Sequence, residues 1–167
     1  MLRLPAMFAL LVLLPACAYH LGPTNGVAAR EQTIQVVPFV NKTLEPRLTD
    51  AVTSQMHKQL QRDGTYQLAT HDPGDIVVSG TLTDYERTPM SFAPSDTLTP
   101  KDFRLSLTAQ VKAVERSSGK VLLERKVVGF TLINVGSDLT SSERQGMPLL
   151  ATDLAKNITA LLVDGNW

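Results

Sequence analysis

Few side chains in this 167-residue sequence are of types that do chemistry: one cysteine, three histidines, and 16 carboxylates balanced by 16 Lys and Arg. Cys17 is the only thiol, so no disulfide can form within the chain. It follows Leu14-Pro15-Ala16, at the end of an apolar run from Leu4 to Leu14 that Arg3 precedes. His20 lacks partners at metal-ligand spacing. His57 falls on the polar face of an expected helix and reads as a solvated side chain. His71 and Asp72 could suggest acid–base chemistry, but neighbours in a turn point apart and no nucleophile accompanies them. There is no His-Glu-x-x-His, phosphate loop or nucleophile motif. No catalytic residue, metal ligand or cofactor site is therefore assigned, and an enzyme is not expected.

The chemistry that remains is at Cys17. A basic start, a short apolar centre and a small residue before a cut site make a secretory signal; the run is far short of the roughly 20 residues that cross a bilayer. A buried thiol in a core helix is the other role open to a lone cysteine. Leu14-Pro15-Ala16-Cys17 resembles the lipobox of bacterial lipoproteins, with Pro15 its one departure. The resemblance implies that Cys17 is diacylated through sulfur and becomes the mature N-terminus. Two or three acyl chains anchor stably where one does not. Ala18, rather than Asp, resembles the sorting pattern of lipoproteins lodged in the outer membrane, at its periplasmic face.

Composition narrows the partners. Removing a signal of residues 1–16 takes only Arg3, leaving 15 basic against 16 acidic side chains. Nucleic acid, which demands a basic excess, is not expected. Residues 17–32 read as the acylated N-terminus and an irregular tether, and residues 33–167 as one domain with its own core.

The elements follow from period. Thr33 to Val40 is β-branched and reads as a strand, with Pro38 either at a sheet edge or breaking the pairing. Leu44 to Gly64 reads as a helix, with Pro46 in its first turn and Leu48, Val52, Met56 and Leu60 as its buried stripe. Thr65 to Thr70 is a short strand. Asp75 to Arg87 is another, with Ile76, Val78 and Leu82 on one face and Thr81, Thr83 and Tyr85 on the other. Gly80 there suggests a bulge or a close approach. Thr88 to Pro100, with three of the ten prolines, reads as a long loop, either functional or mobile. In it Met90 and Phe92 either meet an apolar partner or fold back on the core. Lys101 to Arg116 alternates most clearly: Phe103, Leu105, Leu107, Ala109, Val111 and Ala113 against Arg104, Ser106, Thr108, Gln110 and Lys112. A turn at Ser117-Ser118-Gly119 sends Lys120 to Ile133 back antiparallel, apolar on both faces near its end at Val127, Val128 and Phe130. The polar face of this ribbon is either binding surface or ordinary solvated sheet. Asn134 to Gly146 reads as a second loop, and Met147 to Val163 as a helix with Leu150, Leu154, Ile158 and Leu161 as its apolar stripe. The expected fold class is α+β: a two-layer sandwich of two helices on one face of a four-stranded, mostly antiparallel sheet.

Several blocks carry a family resemblance. Cys17-Ala18-Tyr19-His20-Leu21, Val37-Pro38-Phe39-Val40-Asn41-Lys42-Thr43 with Glu45-Pro46, Gly74-Asp75-Ile76-Val77-Val78-Ser79-Gly80 and the Arg104 to Glu124 hairpin are similar, in order, to the LptE-like lipoproteins of the outer-membrane lipopolysaccharide translocon. The resemblance implies a non-enzymatic protein in the lumen of a β-barrel partner, which it stabilises, with a capacity to bind lipopolysaccharide. It also implies that basic residues by the connecting loops contact the lipid's phosphates; here these are Arg87, Lys101, Arg104 and Arg144. Pro38-Phe39 and Asn41-Lys42-Thr43 also resemble curli-secretion and synthase-activator lipoproteins, which implies instead an envelope scaffold or activator without a barrel partner.

Replacing Cys17 with Ser is expected to block acylation and leave an unprocessed or mislocalised chain. Mass spectrometry of membrane-extracted protein checks this; an unmodified Cys17 in an intact wild-type chain would refute the anchor.

Overall fold

The computed structural model describes residues 31–93, 96–135 and 138–165; Cys17 and most of the expected tether lie outside them. Among the described residues six strands and two helices follow in the order β1 (Thr33–Val36), β2 (Val40–Asn41), α1 (Leu48–Asp63), β3 (Gln67–Leu68), β4 (Ile76–Ala93), β5 (Asp96–Glu115), β6 (Val121–Asn134) and α2 (Leu139–Asp164). The sheet runs β3-β1-β4-β5-β6, and β2 also pairs with β4. It is mostly antiparallel through β4, β5 and β6, while β1, β2 and β3 pair parallel. The α+β class and two helices hold; the sheet has six strands, not four.

The two extra strands come from short segments. Pro38 breaks the expected first strand into β1 and β2, which rejoin β4 in parallel two pairs further along. In the gap the Phe39 ring turns inward, 2 % exposed. It fills the space above Gly80, where a Cβ would come within 2.3 Å of the ring. Gly80 thus serves a close approach rather than a bulge; the bulge falls between Leu82 and Asp84. The expected strand over Thr65 to Thr70 shrinks to β3, beside β1.

Helix α1 starts at Leu48, not Leu44, because Asn41 organises the preceding turn. Its carboxamide oxygen accepts the Thr43 amide at 2.9 Å and its Nδ2 donates to the Glu45 carbonyl at 2.7 Å. Pro46 therefore lies before the helix rather than in its first turn. Gly64 closes α1 in the left-handed region at φ 75°, its amide bonding the Leu60 carbonyl at 3.1 Å.

Both expected loops are largely regular structure. Thr88 to Pro100 continues β4 and begins β5 as a long ribbon, pairing Pro89 with Phe103 and Phe92 with Pro100 across two further irregularities. Met90 and Phe92 on it are 55 % and 47 % exposed, so they do not fold back on the core. Asn134 ends β6, and from Leu139 onward the second expected loop is already α2, with Pro148 inside the helix. Asp138 caps α2 by accepting the Thr140 and Ser141 amides at 3.1 and 2.9 Å.

The core joins the helical stripes to one sheet face. Leu48, Val52, Met56 and Leu60 of α1 and Leu150, Leu154 and Ile158 of α2 are buried with Leu105, Leu107 and Val111, and Phe103 packs at the margin. Gly129 lets α2 close on β6, since a Cβ there would lie 2.5 Å from the Leu154 amide nitrogen. Leu154→Ala is expected to cost about 2–5 kcal/mol. Gly129→Ala should cost about 1–3 kcal/mol through overpacking against a helix backbone. Urea denaturation of both variants checks these values.

Candidate functional site

The surfaces that could meet a partner are set by which way the strands face. Odd residues of β6 (Leu123, Val127, Gly129, Ile133) go under the helices, and Val128, Phe130 and Leu132 point to the opposite face. These three are 46 %, 46 % and 61 % exposed. They pair with Thr108, Ser106 and Arg104 of β5, so a short apolar row flanks a row of hydroxyls and cations. The Arg104 guanidinium lies 4.0 Å from the Phe130 ring centroid, and its Nε is buried without a hydrogen-bond partner. No described element covers this face of the sheet.

At the free edge of β6 the helix side chains complete the backbone. Asp153 accepts the Phe130 amide at 2.9 Å and Asn157 donates to the Val128 carbonyl at 2.9 Å. An edge that could pair with another chain is thereby closed where the apolar row lies.

The bulge after Leu82 changes the face of the residues beyond it. Tyr85 pairs with buried Leu107 and Arg87 with buried Leu105, so both lie on the helical side; the strict alternation that placed Tyr85 opposite Leu82 does not hold. There Glu143, in the first turns of α2, accepts the Tyr85 hydroxyl at 2.8 Å and the Arg87 Nη1 at 3.3 Å. This carboxylate ties the start of α2 to β4, and its side chain is only 14 % exposed. Burial first, then the Glu143 carboxylate, push the Tyr85 phenol well above its ordinary value. On the ribbon itself, Asp102 accepts from Ser91 and from Asn134, and these bonds hold its carboxyl below the usual range.

The four basic residues singled out in the sequence do not converge. Arg87 lies on the helical side in its ion pair, and Arg144 follows Glu143 on α2, exposed. Arg104 is on the open face, across the sheet from Arg87. Lys101 is exposed further along the ribbon, where its carbonyl accepts the Val135 amide at 2.7 Å. A cleft of about 370 Å³ beside Arg87 carries Lys42 as well as Glu45, Asp84 and Glu86, so its charge is mixed. Among the described residues no three His, Cys, Asp or Glu side chains group as a metal site. The uncovered apolar row was only half legible: Val128 and Phe130 stood out, but Leu132 did not. The Tyr85–Glu143–Arg87 cluster left no mark, because it depends on the bulge.

The two-layer α+β domain is a fold shared with several solved proteins. It is similar to protein XCC0632 from Xanthomonas campestris (TM-score 0.62, 11 % identity, 86 % of this chain and 90 % of that one). It is similar also to a putative lipoprotein from Caulobacter crescentus CB15 (TM-score 0.54, 11 % identity, 80 % and 89 %). The PelC dodecamer from Paraburkholderia phytofirmans shares the fold as well (TM-score 0.53, 16 % identity, 84 % and 93 %). Among curated proteins no sequence matches this chain. The family model "LptE: Lipopolysaccharide-assembly" matches residues 31–164, and the chain belongs to that family.

The raised phenol has a testable sign. A folded pKa above the unfolded value of about 10 stabilises the fold fully below pH 10, and this is lost as pH rises through the folded value. Tyr85→Phe is expected to remove the latest tyrosinate signal in an ultraviolet pH titration and to lower stability by about 1 kcal/mol at neutral pH. A titration unchanged by the substitution would place that phenol elsewhere.

Proposed function

We propose that this protein is an outer-membrane lipoprotein, acylated at Cys17, that assists assembly of the lipopolysaccharide translocon by stabilising a β-barrel partner. Family membership over residues 31–164 supports a role in lipopolysaccharide assembly. The observation that carries the finer reading is the uncovered sheet face, with Val128, Phe130 and Leu132 exposed beside Arg104, Ser106 and Thr108. Barrel lumens are polar. A face of hydroxyls, cations and carboxylates (Asp84 and Glu86 lie beside Thr108 and Ser106), with one apolar row, suits such a wall better than it suits hydrocarbon. The exposed ribbon bearing Met90 and Phe92 extends this contact, and a stable interface should bury at least about 1,000 Å². The role is non-enzymatic. For lipopolysaccharide itself, Arg87, Arg104 and Arg144 are the better phosphate donors than Lys101, because a guanidinium presents a fork. Arg87 would have to leave Glu143 to do so.

A second reading keeps the anchor and drops the barrel: an envelope scaffold or activator lipoprotein of the curli-secretion or synthase-activator type. The shared fold with PelC, described as a dodecamer, is what favours it.

Depletion is expected to lower the amount of assembled partner barrel and the surface lipopolysaccharide. Extraction in mild detergent should co-purify a barrel in fixed ratio; a ring of this chain alone would favour the second reading. Arg87→Glu with Arg104→Glu should weaken lipopolysaccharide binding, and Arg87→Glu alone, at a position off the face proposed for the barrel, should leave barrel capture intact. Unchanged barrel and surface lipid after depletion would refute the assembly role.

A further inference from the structure

Strand β4 runs past its parallel neighbours and leaves an edge that no described strand occupies. β1 pairs with it over Ile76 to Val78 and β2 over Thr81 and Leu82. The last bond of that row is from the Lys42 amide to the Leu82 carbonyl at 3.0 Å. There the turn organised by Asn41 carries the chain away from the sheet. β4 itself continues to Ala93, and from Tyr85 onward its only described strand partner is β5.

The ladder fixes which backbone groups that edge presents. Leu82 turns its carbonyl to β2, so its pair with Ala109 is a non-hydrogen-bonded one, and such pairs alternate with hydrogen-bonded ones. Thr83 is the extra residue of the bulge, and Asp84 resumes the ladder opposite Thr108. The alternation then points the amides and carbonyls of Tyr85 and Arg87 outward. The other side of β5 has the same phase: it turns Val128 and Phe130 outward on β6, where Asn157 takes the Val128 carbonyl and Asp153 the Phe130 amide. Helix side chains thus close the edge of β6, whereas no described residue closes that of β4. Pro89, which has no amide, ends the row of donors. Tyr85 to Pro89 is about 13 Å of edge at about 3.3 Å per residue.

This edge is one wall of the cleft of about 370 Å³, and the Lys42 to Glu45 turn is the other. Asn41 holds that turn, yet Leu44 stands wholly exposed on it, an apolar anchor at the rim. The charges of the lining are unbalanced. Arg87 is paired with Glu143, which leaves Lys42 against Glu45, Asp84 and Glu86, none of them in an ion pair among the described residues. Asp84 and Glu86 lie on the open face, where they would flank the side chains of a strand added beside β4. Main-chain bonds would hold such a strand, and the acids would favour a basic sequence over an acidic one.

We propose that the edge of β4 from Tyr85 to Pro89 accepts an extended, basic segment of a second polypeptide as an added strand. Its Lys or Arg side chains lie beside Asp84 and Glu86, and its alternate, apolar side chains on the face of Tyr85. The bulge starts this slot and Pro89 stops it, so it takes one short strand. β5 separates it from Val128, Phe130 and Leu132, and the contact does not depend on that apolar row.

The test uses the full chain carrying Cys17→Ser, which has no thiol to acylate. The probe is a capped peptide alternating Val and Lys, about seven residues long so that it spans the edge. One control alternates Val and Glu; the other is the Val–Lys peptide with every amide N-methylated, which keeps the charge and loses the donors. Calorimetry measures binding and amide hydrogen exchange locates it. The Val–Lys peptide is expected to bind and to slow exchange at Tyr85 and Arg87 about tenfold or more, leaving Leu132 unchanged, and both controls should bind at least about tenfold more weakly. Asp84→Lys with Glu86→Lys changes two exposed positions; it should keep the melting temperature and reverse the preference toward the Val–Glu peptide. No binding at millimolar peptide overturns the added strand, as does equal binding of the N-methylated peptide or protection on β6 in place of Tyr85 and Arg87. Protection of those two amides in the peptide-free protein that rises with protein concentration also overturns it, by giving the edge to a second copy of this chain.

Discussion

At Gly129 the backbone of α2 comes so near β6 that a side chain would meet the Leu154 amide nitrogen at 2.5 Å. Much of the architecture depends on that contact. With the helix seated there, Leu150, Leu154 and Ile158 reach the Leu105–Leu107–Val111 face and are wholly buried. The same seating brings Asp153 and Asn157 over the strand edge, where they take up the Phe130 amide and the Val128 carbonyl. A long terminal strand would otherwise present unpaired backbone groups beside its exposed apolar row. One glycine thus lets one helix cover the core and close part of the sheet's open edge.

The price of that arrangement is asymmetry. Both helices contribute to one core, so no described element covers the opposite sheet face. Its composition suits water only in part: Arg104, Ser106, Thr108, Gln110 and Lys112 are polar, whereas Val128, Phe130 and Leu132 are not. Arg104 moderates the apolar row by laying its guanidinium on the Phe130 ring. A domain built this way has its own core yet keeps a surface whose burial would still be favourable.

Sequence period revealed the parts that pack on one another and missed those that do not. The stripes of α1 and α2 and the alternation of β5 were legible because burial enforces them, and Leu48, Leu154 and Leu107 are all at 0 % exposure. The distal ribbon is held by backbone pairing and by polar ties such as Ser91 to Asp102, so nothing imposes an apolar alternation. Its prolines then read as loop. The first turns of α2 were missed for a related reason. Ser141, Ser142, Glu143 and Arg144 carry no apolar period, and Pro148 suggests a helix start although it lies inside the helix. The faces of Tyr85 and Arg87 were out of reach, because a one-residue bulge reverses every side chain beyond it.

That bulge decides how the two arginines of β4 and β5 differ. Without it, Tyr85 and Arg87 would sit on the face opposite Leu82, away from the helices. With it, Arg87 meets Glu143 and Arg104 is left on the far side with an aromatic ring as its partner. An anion reaching Arg87 must displace a carboxylate that also holds the Tyr85 hydroxyl, and so loosen the start of α2 from β4. An anion reaching Arg104 displaces no counter-ion, since the ring stacks on the guanidinium without neutralising it. Of the two, Arg104 is therefore the cation electrostatically available to a ligand on the open face. Arg87 is the one whose engagement would be felt by the helix.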